Sequence, residues 1–106
     1  MAATDTFLLS AGVAVTIAHL LTTFGVAAVE LKWPNDILSG SKKIAGLLFE
    51  NIITGTQLSG VLIGIGVNIN QTEFLGLPKA TSVALSTGKT IDVEGCLLYT
   101  SDAADE

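Results

Sequence analysis

At 106 residues the chain supports one small domain with one core, and 49% hydrophobic against 14% charged residues excludes a disordered polymer. A net charge of −5, with five lysines and no arginine, excludes a broad electrostatic footprint on nucleic acid. The single cysteine, Cys96, excludes a disulfide framework and points to a small buried apolar residue in a reducing cytoplasm.

Residues 6 to 29 form a stretch of 24 without a formal charge, long enough to cross a bilayer. Ser10, Thr16, His19, Thr22 and Thr23 interrupt it, and basic flanks are missing on its N-terminal side, so a soluble helix is the expectation. Leu9, Val13, Ile17, Leu20 and Phe24 step by three or four and form an apolar stripe, with Ala18, His19 and Thr22 roughly opposite. Thr4 and Asp5 offer an N-cap and Gly25 a left-handed stop, which predicts a helix over about Thr6 to Phe24. His19, away from the stripe, reads as a surface or boundary residue.

Val29, Leu31 and Trp33 then alternate with Glu30 and Lys32, the pattern of a strand with one wet face. Pro34 removes a backbone donor and should end it. Asn35-Asp36 favours a turn and Ser39-Gly40-Ser41 a second one. Ile44 to Glu50 reads as the next strand, linked through Thr54-Gly55-Thr56 to a third over Gly60 to Asn70. On that third strand Val61, Ile63, Ile65 and Val67 share one face, and Leu62, Gly64, Gly66 and Asn68 the other. Two glycines on one strand face remove packing. A bulge or a neighbouring backbone would account for them, and so would a ligand lying across the strand with Asn68 at its end. Gly-Ile-Gly-Val-Asn is not a dinucleotide fingerprint, because it lacks the third glycine and lies within a strand.

Beyond Asn70 the pattern gives a loop, a short helical turn after Thr81 or Ser82, and a helix capped by Asp92. One helix followed closely by strands is an α+β arrangement, with an antiparallel or mixed sheet covered on one face by the helix. Three of the five lysines, Lys32, Lys42 and Lys43, lie at the adjoining ends of two predicted strands. If those strands pair, their charges converge beside Asn35 and Asp36. Such a cluster suits an anionic ligand, with lysines as point charges for phosphate, asparagine for a base edge and aspartate for a metal ion. A solvated turn carrying surface lysines fits the same residues, and a lone tryptophan such as Trp33 is more often core than a stacking platform.

Three blocks, "KWPND" at Lys32–Asp36, "KKIAGLLFE" at Lys42–Glu50 and "GIGVNIN" at Gly64–Asn70, resemble the signature blocks of biotin protein ligases in order and separation. The resemblance runs from about Leu8 to Glu94 and takes in the later "ATSVALSTGKTID". It implies part of a class II synthetase-like biotin/lipoate ligase catalytic domain, which forms biotinyl-5′-AMP from biotin and MgATP and passes biotin to a lysine of a carrier domain. Lys43 then matches the lysine that holds the biotin carboxylate and phosphate oxygens. Asp36 matches an aspartate that assists carrier-lysine attack or helps to organise Mg2+. Gly46 and Leu48 match the biotin pocket. Lys32, Trp33, Asn35, Gly64, Gly66 and Asn68 fall to the ATP and adenylate side. Because Lys43 and Gly46 differ in strand parity, their sharing one site requires a bulge or turn geometry at the strand start.

The family's glycine- and arginine-rich loop and its small C-terminal β-barrel have no counterpart in the 106 residues, and "GCLLYTSDAADE" turns acidic. The expectation is a partial catalytic domain over residues 1–95, inactive alone, followed by a non-native or disordered tail over 96–106. The implied partners are a biotin carboxyl carrier domain and a second copy through the sheet, with no nucleic acid and no membrane. Two other readings stand beside it: a lipoate ligase, whose "K-I-A-G" block would look alike, and a noncatalytic binding or dimerisation module.

Overall fold

The computed structural model describes residues 3–33 and 35–93. The expected tail from residue 96, the boundary at residue 95, Cys96, Pro34 and the body of the helix expected after Asp92 lie outside the described residues.

Helix α1 spans Ala3–Thr23. It starts earlier than the cap at Thr4-Asp5 predicted, so Asp5 sits in its first turn, where a carboxylate favours the positive end of the helix dipole. Its end is as the sequence indicates. Gly25 has φ +93°, its N–H donates to Thr22 O at 3.0 Å, and Val26 N–H donates to Leu21 O at 3.1 Å. This pair of bonds is a Schellman stop, and its two apolar residues, Leu21 and Val26, are both buried.

The buried face of α1 is not the predicted stripe. Thr6, Ala14 and Leu21 are buried, whereas Leu9, Leu20 and Phe24 are more than 40% exposed. Aliphatic residues occur all round this helix, so periodicity alone does not select a face. Small residues decide it: Thr6 and Ala14, with Ser10 half-buried between them, let the helix axis lie close to the sheet. Asp5–Thr23 is long and apolar enough to cross a membrane by length and composition. Here the helix lies along β1, β3 and β4.

Four strands follow, β1 Val29–Lys32, β2 Asp36–Ser39, β3 Lys42–Thr54 and β4 Gln57–Val67, in the spatial order β1-β2-β3-β4 with every neighbouring pair antiparallel. The α+β reading holds, but β2 is a strand where the sequence suggested a turn. Asp36 opens that strand, opposite Lys32. The two later connections are tight hairpins. Gly40 and Ser41 both have positive φ, 56° and 68°, the signature of a type I′ turn whose twist matches the strands it joins. Thr54 pairs with Gln57 around Gly55 at φ 66°.

Ala14, Leu21, Val26, Ile37, Ile44, Ala45, Leu47 and Val83 form the core, with Ile17, Val29, Phe49 and Val67 packed against it. Ala45, Leu47 and Phe49 pair with Val67, Ile65 and Ile63, so the aliphatic face of β4 is the helix-facing one, as its alternation predicts. The last element, α2 over Val83–Thr87, is capped by Ser82, whose hydroxyl accepts from Leu85 N–H at 3.1 Å and donates to Gln71 O.

Candidate ligand site

The site begins with an irregularity in β3. Ile37 pairs with Ala45, but the next residue, Leu38, pairs with Lys43, so Ile44 is an extra residue in the ladder. This bulge is the geometry that the parity of Lys43 and Gly46 requires. Gly46 stands opposite Asp36, and Lys43 stands opposite Leu38, two residues along β2. Lys43 and Gly46 therefore come to one sheet face, while Ile44 and Ala45 are both buried in the core.

The lysine side chain lies along the strand over Gly46. A Cβ at Gly46 would stand 3.3 Å from Lys43 Cε and 3.4 Å from Nζ, which is tighter than ordinary contact. The ammonium group reaches Asp36, with Nζ to Oδ1 at 3.1 Å. Both partners remain in touch with solvent, at 51% and 32% exposure. The lysine is thus held in place by a carboxylate without being sealed from a ligand.

The same face continues through Leu48, paired with Gly64, while Gly46 pairs with Gly66. Gly64 and Gly66 are not explained by crowding. A Cβ on Gly66 would meet no atom within 4 Å, and one on Gly64 only Leu48 Cβ at 3.6 Å. The register is regular from Ala45↔Val67 to Ile52↔Gly60, so no bulge falls at either glycine, and neither has positive φ. Among the described residues nothing requires a missing side chain there. Neither a bulge nor a crowding neighbour among the described residues accounts for the two glycines.

Lys43 also lines a cavity of about 550 Å3, with Asn68, Gln71, Phe74, Gly76, Leu77, Pro78, Lys79 and Ala80. Its outer wall is docked on the start of β3. Lys43 N–H donates to Lys79 O at 2.7 Å, and Thr81 N–H donates to Lys43 O at 2.8 Å, in a short parallel bridge. Asn68 ties this wall to the sheet, its backbone N–H donating to Ile44 O at 2.9 Å and its side-chain amide to Thr81 O at 3.2 Å. The loop residues of this wall escaped sequence analysis, because their relation to Lys43 is a backbone pairing between distant segments. The only local hint is the run Gly76-Leu77-Pro78 before the Ser82 cap.

The remaining sequence candidates fall elsewhere. Trp33 and Asn35 line a separate, shallower cleft of about 300 Å3 with Thr6, Phe7, Ser10, Phe49 and Asn51. Trp33 meets Phe7 edge-on, with ring centroids 5.6 Å apart, so its ring packs against the first turns of α1. The backbone of Asn35 accepts from Leu47 N–H at 2.7 Å. Lys32 ends β1 exposed, opposite Asp36 in register. Lys43 and Asn68 thus share the larger cavity, Asp36, Gly46, Leu48, Gly64 and Gly66 share strand pairings beside Lys43, and Trp33 and Asn35 line the separate cleft.

No group of three potential metal ligands occurs among the described residues. Asp36 offers a single carboxylate, already engaged by Lys43, which does not by itself make a protein cage for a metal ion.

Residues 3–68 match the model of the Biotin/lipoate A/B protein ligase family. The chain is 40% identical over 74 residues to the Bifunctional ligase/repressor BirA of Bacillus subtilis, covering 66% of this chain and 23% of that protein. It is 40% identical over 73 residues to the Biotin--[acetyl-CoA-carboxylase] ligase of Paracoccus denitrificans, covering 64% and 30%. Among solved structures, the apo biotin protein ligase of Aquifex aeolicus superposes with a TM-score of 0.63 at 30% identity, over 84% of this chain and 39% of that one. The Aquifex ligase in complex with biotin and ATP superposes with a TM-score of 0.57, also at 30% identity, over 88% and 37%. The chain spans a quarter to a third of the length of these curated relatives.

Proposed function

The chain belongs to the biotin/lipoate A/B protein ligase family, and from that premise we propose that it carries the adenylate-binding wall of a cytoplasmic ligase that joins biotin to a carrier-protein lysine. In this reading a biotin carboxylate oxygen attacks the α-phosphorus of ATP, a C(O)–O–P bond forms, and pyrophosphate leaves. The carrier lysine then attacks the acyl carbon, the C–O bond breaks, and AMP leaves.

The observation that carries this reading is Lys43 laid over Gly46 by the bulge, at the edge of a sheet face whose two glycines have no neighbour to avoid. An ammonium at that point faces both the carboxylate and the phosphate and offsets the negative charge that builds on the transferring centre. Gly64 and Gly66 let the acyl-phosphate lie against the backbone, and Gly46 and Leu48 line the biotin end. Asp36 holds Lys43 before the ligand arrives. Once Lys43 turns to the adenylate, the freed carboxylate is placed to accept a proton from the incoming amine. What the solved Aquifex complex contains, biotin and ATP, agrees with this ligand pair.

The test is calorimetric titration of the 106-residue chain with non-hydrolysable analogues of biotinyl-AMP and lipoyl-AMP. Saturable binding that favours the biotinyl compound is the expected result. Preference for the lipoyl compound would reassign the substrate within the family, and binding of neither, by this chain or by the full-length protein, would leave the noncatalytic module as the better account.

A further inference from the structure

The charge of the 550 Å3 cavity is not set by Lys43 alone. Lys43 is the evident cation, but Asp36 neutralises it at 3.1 Å, so the pair brings no net charge. The other cation on the cavity wall is Lys79, which is exposed and forms no ion pair with any described residue. Glu73, the carboxylate of the same loop, is not among the lining residues. Lys79 is also not adrift. Its carbonyl accepts from Lys43 N–H at 2.7 Å, and the Thr81 N–H bond to Lys43 O closes the same bridge, so its backbone is fixed to the strand that carries Lys43.

We propose that Lys79 is a second phosphate-contacting residue, the uncompensated cation that lets this cavity take the polyphosphate of a nucleoside triphosphate. The proposal rests on the nucleotide-dependent reading above. A flexible ammonium suits this role because it follows a phosphate group as a point charge and needs no fixed fork geometry. The cavity wall also carries Phe74, Leu77 and Pro78, so Lys79 and Lys43 are the charged groups along it.

The experiment is a 15N NMR titration of the chain with ATP and, separately, with adenosine, for the wild type and for Lys79→Gln and Lys79→Arg. The glutamine variant should bind ATP about fivefold more weakly, in line with the loss of one partly exposed charge contact. Its affinity for adenosine should stay within twofold of wild type, and the arginine variant should keep ATP affinity. Because the side chain is exposed, the amide spectrum of the core should be unchanged. Equal ATP affinity in wild type and Lys79→Gln would overturn the assignment, as would an equal loss for adenosine. If the wild type binds neither compound, the nucleotide-dependent reading fails together with the role of Lys79. ATP binding that ignores the glutamine change removes Lys79 alone.

Discussion

Lys43 Nζ stands 3.1 Å from Asp36 Oδ1, and the two residues reach each other from adjacent strands only because Ile44 is an extra residue in the ladder. An ion pair this open to water contributes about 0–1 kcal/mol to stability. Its value therefore lies in placing the ammonium group. Lys43→Ala should lower affinity for a biotinyl-AMP analogue by about 10- to 100-fold, the range for losing a charge-assisted hydrogen bond. Thermal unfolding should change little. Calorimetric titration and scanning calorimetry on the same samples check both halves, and an unchanged affinity would remove Lys43 from the site.

Gly66 makes a sharper test, because substitution there should separate stability from binding. A Cβ at this position has open space around it, and a strand glycine replaced by alanine gains about 0.5–1 kcal/mol from reduced chain freedom. Gly66→Ala should raise the urea midpoint while weakening the adenylate analogue, since the added methyl occupies the surface on which the ligand lies. A more stable variant with full affinity would show that nothing sits on this face.

Ser82 is fully buried, caps α2 and donates to Gln71 O. Ser82→Ala leaves Leu85 N–H without its cap and the Gln71 carbonyl without a donor, at about 1–3 kcal/mol together. Hydrogen exchange should quicken first at Leu85 and along Lys79–Ala84, the segment that joins the cavity wall to α2, with the β3–β4 hairpin protected as before. Uniform loss of protection through the whole sheet would contradict a local role.

The parts of this molecule that were legible in its sequence are those governed by neighbours along the chain. Gly25, Gly40 and Gly55 sit where positive φ is needed, so the stop of α1 and the two turns at Ser39–Ser41 and Thr54–Thr56 follow from them. The alternation of β4 gives its two faces, and the bulge follows from the parity of Lys43 and Gly46 once the resemblance puts both in one site. What failed had no local signal. Asn35-Asp36 has the composition of a turn, yet Asp36 pairs with both Lys32 and Gly46 and begins a strand inside the sheet. The face of α1 was misread because Leu9, Leu20 and Phe24 are larger and more apolar than Thr6, Ser10 and Ala14, and close approach to the sheet favoured the smaller set.

The grouping of Asp36, Lys43, Gly46, Gly64 and Gly66 was indicated by the resemblance of their sequence blocks to biotin protein ligases, while the pairing that sets Asp36 opposite Gly46 had no signal in the sequence. Trp33 belongs to the same sequence block but turns to Phe7, a partner from the first helix that no spacing rule supplies. Lys79 stands beside Lys43 through a backbone bond between segments far apart in the chain.

That last bond has a consequence for how the molecule assembles. The four strands follow one another in space in the order of the sequence, so the sheet can zip up hairpin by hairpin with small loops to close. Lys43 becomes a strand residue early in that sequence of events. Its backbone partners, Lys79 and Thr81, arrive only after β4 and the loop beyond it have been threaded back across the sheet. Contact order therefore predicts that this corner closes after the hairpins on folding. A ligand bridging Lys43 to that wall would act as a clasp on the finished fold.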